Sequence, residues 1–540
     1  MSRSATASRT AFVAILALGV RLAWVRLNGI DVPIGPDSAL WVLAGIDRYS
    51  GSIPHLPPLY PSFVALALAL GASGEVAARW LSLLAGAAIA PALTAWLDRR
   101  GVDPVLSLAM GIFLALMPDL VFESSLVQPD SLTQLWVLAF AAAGLLHLRE
   151  RSGRTAGALV GLSALGVVLR ETALPLIGLG TCVLALAPGP GRYGRLVWPL
   201  AVIVAAHLAP VALGLWPSFP LSAAPWGGKA GVPQQELTRV LREGYIPSYS
   251  AKVTDTWYLG QPNIHLGIRD HYDKMVNLSV PQRVREVLWL HATRAMELSR
   301  ELYALLIGCA VAILAGARRE KRPFDALFGV ALLAPVLVTV VVWTQRRHVV
   351  AFVPAALLCA GLALPRALGP KVRSLLVTAL FVALCAQARV VDPAMRWTAR
   401  QVSESRPMAE LGREIAEKAD GRSVIAGISR ANVTQYPGVL VATAGLRASS
   451  SMPDDALRWS VVWVLLDDER APTGWTPLTR GDRLIAYVWG AELPRSIREC
   501  MAGQIERLAP LVDPFEGALS VVRPGQGCGD TPQLPGGGAP

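Results

Sequence analysis

Apolar runs about as long as a helix needs to cross a bilayer recur along this chain, separated by short polar gaps. Crossings are predicted near 11–30, 77–97, 105–122, 131–148, 156–170, 172–187, 196–216, 299–317, 324–343, 349–364 and 374–391. These eleven runs predict an all-α polytopic membrane protein. A further run, 57–71, holds prolines at 57, 58 and 61 and is only about 15 residues long. It reads as a re-entrant or juxtamembrane element, tolerated at membrane depth only against protein or a water-filled cavity. After 391 the pattern changes. Residues 408–418 keep helical spacing, whereas 423–428, 461–466 and 483–489 read as strands. A small soluble α/β domain is therefore predicted over 392–530, followed by a Gly/Pro-rich disordered tail at 531–540.

Composition supports the membrane reading. The 540 residues are 53% hydrophobic, with a mean hydropathy of +0.44, too apolar for a soluble protein. A net charge of +11 would otherwise point to nucleic acid, but the basic residues crowd into short loops between crossings. Arg99-Arg100, Arg149/Arg151/Arg154, Arg192/Arg195, Arg318-Arg319/Lys321-Arg322 and Arg366/Lys371/Arg373 form the five clusters. Lys and Arg mark cytoplasmic loops, so these clusters call for membrane lipids as surroundings and no nucleic acid.

If 57–71 does not cross, all five clusters fall inside, together with Arg3 and Arg9. Segments 31–76, 122–130, 217–298 and 344–348 then face outside, as does everything after 391. The first crossing lacks a small-residue cleavage site and reads as an anchor. The expected protein is a multi-pass component of the cytoplasmic (inner) membrane with its C-terminal domain outside. Its regions are an N-terminal transmembrane module (1–216) with a first outer loop at 31–76, a large outer loop (217–298), four C-terminal helices (299–391) and the outer domain (392–530). An oxidising exterior would permit a Cys500–Cys528 disulfide, but the sequence leaves that pairing open.

Candidate chemistry gathers on the outer side. Asp37 and Asp130 each stand in a Pro-Asp-Ser turn with a Trp following (Trp41, Trp136). Either carboxylate reads first as a helix cap and second as a catalytic group. Glu123 reads as a solvated helix end. The string from His55 to Pro61 contains Pro57-Pro58, which predicts extended backbone holding His55 and Tyr60 at the mouth of the re-entrant element. Arg346, Arg347 and His348 precede a crossing at its outer end, where positive-inside statistics disfavour arginine. They read either as phosphate-binding groups or as side chains reaching for lipid headgroups. Arg170 and Arg21 are weaker members of that set. P-loop, dinucleotide-binding and zinc-protease motifs are all missing from the sequence.

Taken in order, these motifs resemble the GT-C superfamily of membrane glycosyltransferases. The carriers are an anchor helix, an outer loop with the early Asp37, the His55-Leu56-Pro57-Pro58-Leu59-Tyr60 string and a second acid, Asp130, before a crossing. Arg347-His348-Val349-Val350-Ala351-Phe352-Val353-Pro354 is similar to that superfamily's Arg-Tyr-x-x-Pro-x-x-Pro, with His348 in place of Tyr and Ala351 in place of the first Pro. The resemblance implies sugar transfer from a polyprenyl-phosphate donor to a lipid, glycan or protein of the cell envelope. It implies Asp37 and Asp130 as catalytic acids, and His55, Tyr60, Arg170, Arg346, Arg347 and His348 as substrate-binding groups, with room for a divalent cation as the one cofactor. A polysaccharide polymerase or ligase and a secondary transporter are the alternatives.

Overall fold

The computed structural model describes residues 3–31, 57–170, 173–187, 279–342, 346–364 and 368–418, positions 38, 41, 42, 44, 45 and 48, and strands at 424–428, 461–466, 475–480 and 484–489. Its helices are α1 (Arg3–Leu27), α2 (Leu59–Ala69), α3 (Gly74–Arg99), α4 (Pro104–Leu116), α5 (Pro118–Ser125), α6 (Asp130–Glu150) and α7 (Gly153–Leu169). They continue with α8 (Ala173–Leu186), α9 (Val280–Glu320), α10 (Pro323–Val342), α11 (Arg346–Val350), α12 (Val353–Ala363), α13 (Pro370–Gln387) and α14 (Val391–Lys418).

The architecture is that of a helical, multi-pass membrane protein. Among the described residues five helices are long and apolar enough to cross a membrane, or six if the bent pair α4–α5 is one crossing. Eleven crossings were expected. The runs predicted at 156–170, 172–187 and 349–364 form helices of 17, 14 and 11 residues. The run at 196–216 lies outside the described residues.

Two prolines change the expected backbone. The run at 105–122 is not one straight helix. Proline disfavours α conformation in the residue before it, and Met117, before Pro118, has φ −58° and ψ 116°. α4 and α5 consequently meet at 47°. Pro58 departs from expectation in the opposite sense. Instead of extending the chain it takes φ −73° and ψ −21° and starts α2, a position where the missing N–H costs nothing. At 11 residues α2 is about half the length a crossing needs.

Leu93, Leu97, Leu106, Phe113, Phe140 and Phe328 belong to one contiguous buried core shared by α3, α4, α6 and α10. Apolar side chains also remain exposed on outer helices, such as Ile15 and Leu375. A lipid-facing surface requires this, because lipid tails are as apolar as the side chains they meet. Helices approach closely over glycine: a methyl group on Gly144 would overlap the Phe328 ring, and one on Gly316 the Ala363 carbonyl.

One end of the bundle is held by ion pairs between different helices or their flanking loops. Arg9 bonds Asp98 at 2.8 Å, Arg149 bonds Asp325 at 3.0 Å, Arg373 bonds Asp103 at 2.8 Å and Arg100 bonds Glu150 at 3.1 Å. Three of the predicted basic clusters thereby meet at a single end. At the opposite end α14 comes back over the bundle. Arg406 donates to the Gly29 carbonyl and to Asp31, both at 3.0 Å, and Trp397 packs edge-on against Phe122.

Beyond α14 lies a four-stranded sheet of β1 (Val424–Ile428), β2 (Val461–Leu466), β3 (Trp475–Arg480) and β4 (Leu484–Trp489), in the order β1-β2-β4-β3. β1 and β2 pair in parallel and the other pairs are antiparallel. Three of the strands fall where alternation predicted them. β3 was not predicted because Pro477 interrupts it, and the structure puts it on the sheet edge, where a strand tolerates proline. Residues 188–278 and 490–540, with Cys500 and Cys528, lie outside the described residues.

Candidate functional site

At the end of the bundle facing α14, a connected set of polar side chains joins α2, α3, α5, α6 and α11. It starts at Tyr60. The proline-initiated α2 turns this side chain inward, where it is fully buried. Its hydroxyl bonds the Ala78 carbonyl and the Ser82 hydroxyl, each at 2.8 Å. Trp41 packs edge-on against the same ring at 5.6 Å. Ser82 donates to the Gln128 carbonyl at 3.0 Å, so α2 and α3 are tied to the turn after α5.

Gln128 is the hub. Its amide nitrogen donates to Glu123 Oε2 at 2.6 Å, and its amide oxygen lies 3.5 Å from Arg347 Nη1 on α11. The guanidinium of Arg347 is thus held by an amide oriented by a carboxylate. Two residues further on, Asp130 forms an ion pair with Arg170 at the C-terminal end of α7. Their side chains are 7% and 20% exposed, which limits how far water weakens the pair.

The expected roles are revised in several places. Asp130 is not the cap of α6: Pro129 takes the cap position, Asp130 is the first helical residue and its carboxylate engages Arg170. Glu123 is not a solvated helix end, since it is 0% exposed, as is Asp119 one turn earlier on α5. Tyr60 is buried and bonded within the protein, not open at the mouth of a loop. Arg346, Arg347 and His348 do not sit at the tip of a crossing but form their own short helix, α11.

Arg21 is also buried, and its Nη1 donates to the Ala17 carbonyl at 2.9 Å and to the Ala115 carbonyl at 3.4 Å. Ala115 is near the C-terminal end of α4, where carbonyls lack helical partners. Its first role is therefore to satisfy the helix break, with Nε and Nη2 left without partners among the described residues. The structure brings Tyr60, Arg347, Asp130 and Arg170 to one end and leaves Arg21 by Gly86 and Ser124. Asp37 and His55, and the side chains of Arg346 and His348, lie outside the described residues.

Sequence reasoning missed Gln128 and Ser82, and misplaced Glu123 in solvent. A usable signal was present: two acids, Asp119 and Glu123, occur in an otherwise uncharged stretch bracketed by Pro118 and Pro129. Ionisable groups at such depth need a reason. Among the described residues, no three His, Cys, Asp or Glu side chains group as a metal ion would require.

The chain matches no protein-family model and no curated protein. Among solved structures it is similar to the oligosaccharyltransferase of Archaeoglobus fulgidus in complex with zinc and sulfate, at 15% identity and a TM-score of 0.47. That match covers 81% of this chain, which spans 61% of the other protein's length. It is also similar to ArnT from Cupriavidus metallidurans bound to undecaprenyl phosphate, at 14% identity and a TM-score of 0.42, over 90% of this chain and 100% of that one. The apo state of the same ArnT gives 15% identity and the same score.

Proposed function

We propose that this protein is a membrane glycosyltransferase of the GT-C type, moving a sugar from a polyprenyl-phosphate donor to an acceptor of the cell envelope at the outer face of the cytoplasmic membrane. The observation that carries the reading is the pairing of two arginines with polar supports at one end of an apolar bundle: Arg170 with Asp130, and Arg347 with Gln128 and Glu123. Guanidinium groups at that depth suit a phosphate that arrives on a lipid. Only Nη1 of Arg170 is engaged among the described residues, which leaves its other donors for phosphate oxygens.

Transfer then divides between the residues as follows. The acceptor oxygen or nitrogen attacks the anomeric carbon as the bond from that carbon to the phosphate oxygen breaks. The acceptor's proton passes to a carboxylate, which we assign to Asp37, because Asp130 is committed to Arg170. General-base help of this kind contributes about 10²–10⁴-fold. Arg170 and Arg347 bind the charge that develops on the departing polyprenyl phosphate. Asp130 holds Arg170 for that task, and Tyr60 ties α2, within the first outer loop, to α3. His55, Arg346 and His348 are assigned to substrate binding on sequence grounds. A divalent cation would need a carboxylate beyond those grouped here, so no step is assigned to one.

The deciding experiment is sugar transfer by the full chain in liposomes, using a panel of polyprenyl-phosphate sugars with wild type and Asp37→Asn. Turnover with one donor that drops at least about 10²-fold in the variant supports the reading. Absence of turnover with every donor, in folded protein supplied with envelope extract, would overturn it. Transport would then gain weight, since the broken α4–α5 pair is a transporter-like feature.

A further inference from the structure

The end of the bundle away from the proposed site carries a second feature. Between α3, α6 and α7 runs a half-open groove of about 460 Å³, within the range of roughly 300–1,000 Å³ typical of ligand pockets. Its walls are built mainly of apolar side chains, alanines such as Ala92, Ala139, Ala142 and Ala158 alternating with Leu135 and Leu146. At one end it reaches Trp96, Glu150 and Arg154. A groove with apolar walls, opening toward lipid, loses dispersion contacts unless a chain fills it.

The polar end determines what kind of chain. Arg100 is fixed there by Glu150 at 3.1 Å and lies over the Trp96 ring at 5.3 Å. Arg154 is exposed in the groove lining itself. Arg99, the last residue of α3, and Arg151, just after α6, bring the guanidinium groups at this end to four, against the one carboxylate of Glu150. The neighbouring Asp98 and Arg149 are spent on Arg9 and Asp325. Trp96 gives the amphipathic ring that membrane proteins place at headgroup depth. An apolar slot ending in excess positive charge at headgroup depth complements a lipid with an anionic head.

We infer that the α3–α6–α7 groove is a binding site for an anionic glycerophospholipid of the leaflet that meets the basic end, with one acyl chain between the apolar walls and its phosphate at Arg100 and Arg154. The site is separate from the proposed transfer site and does not depend on it.

The test is native mass spectrometry of the full chain, delipidated and then titrated with phosphatidylglycerol or phosphatidylcholine. Wild type is expected to retain phosphatidylglycerol in preference to phosphatidylcholine. Arg154→Gln should lower that preference by about fivefold, the effect of one basic group at a lipid surface. Ala139→Phe, which fills the groove, should bind one lipid fewer of either kind. Ala92→Phe at the exposed edge of the groove repeats the test should Ala139→Phe not fold. Equal retention of the two lipids by wild type would overturn the inference. So would unchanged stoichiometry in a folded Phe variant together with unchanged headgroup preference in Arg154→Gln.

Discussion

The two ends of this bundle use the same residue types for different ends. At the basic end Arg9, Arg149 and Arg373 each meet a carboxylate directly, and each pair joins two parts of the chain: Arg9 to Asp98, Arg149 to Asp325, Arg373 to Asp103. The pairs act as clamps. At the end facing α14 a relay stands beside the direct pair of Asp130 and Arg170. Glu123 is linked to Arg347 through Gln128, and Tyr60 reaches the same glutamine through Ser82. In a clamp a carboxylate holds the guanidinium itself, whereas in a relay a neutral amide, oriented by a carboxylate, stands between the two. The contrast teaches that this fold positions arginines in two ways, by a carboxylate directly or by an amide that a carboxylate orients.

Substitutions should divide along the same line, with catalysis affected at one end and stability at the other. The largest effect is expected for Arg347→Ala, which should lower turnover with the lipid donor by roughly 10²–10³-fold while leaving thermal unfolding little changed. Gln128→Leu should move in the same direction by less, read as a raised KM for the donor. If Arg347→Ala retained wild-type dependence on donor concentration, the relay would be another clamp. Next in size is Asp98→Asn, which leaves Arg9 beside an uncharged partner in a buried setting. It should destabilise by about 1–3 kcal/mol in an unfolding titration, with turnover per folded molecule intact. Loss of turnover there would erase the distinction between the ends. The smallest effect is expected for Ser152→Ala, since Ser152 caps α7 by accepting from the amide of Thr155 at 3.3 Å. A loss of about 0.5–2 kcal/mol, again without a kinetic change, is the expected reading.

Much of this division was legible beforehand, for physical reasons. Hydrophobic length marked the crossings, and loop arginines marked the basic end, because both signals are local and repeat along the chain. Asp130, Arg170 and Arg347 stood out as charges at helix ends. The sequence could not show that Asp130 and Arg170, forty positions apart, form a pair, or that Glu123 is buried. Those facts depend on tertiary contact and on the bend that Pro118 imposes between α4 and α5. The short helices at 153–169, 173–186 and 353–363 expose the complementary weakness. Apolar run length predicts that a segment prefers lipid, but not where its helix begins and ends.

The glycine seats under Phe328 and Ala363 have a consequence for biogenesis. Each crossing is admitted to the membrane on its own hydrophobicity, before its neighbours are in place. Gly144 and Gly316 contribute little at that moment, because the ring and carbonyl they accommodate belong to segments made later. Insertion and assembly are therefore encoded by different residues. A side chain added at Gly144 would pass the translocation machinery unnoticed, and the fault would surface only in surveillance of the finished protein, as a chain correctly threaded and soon degraded.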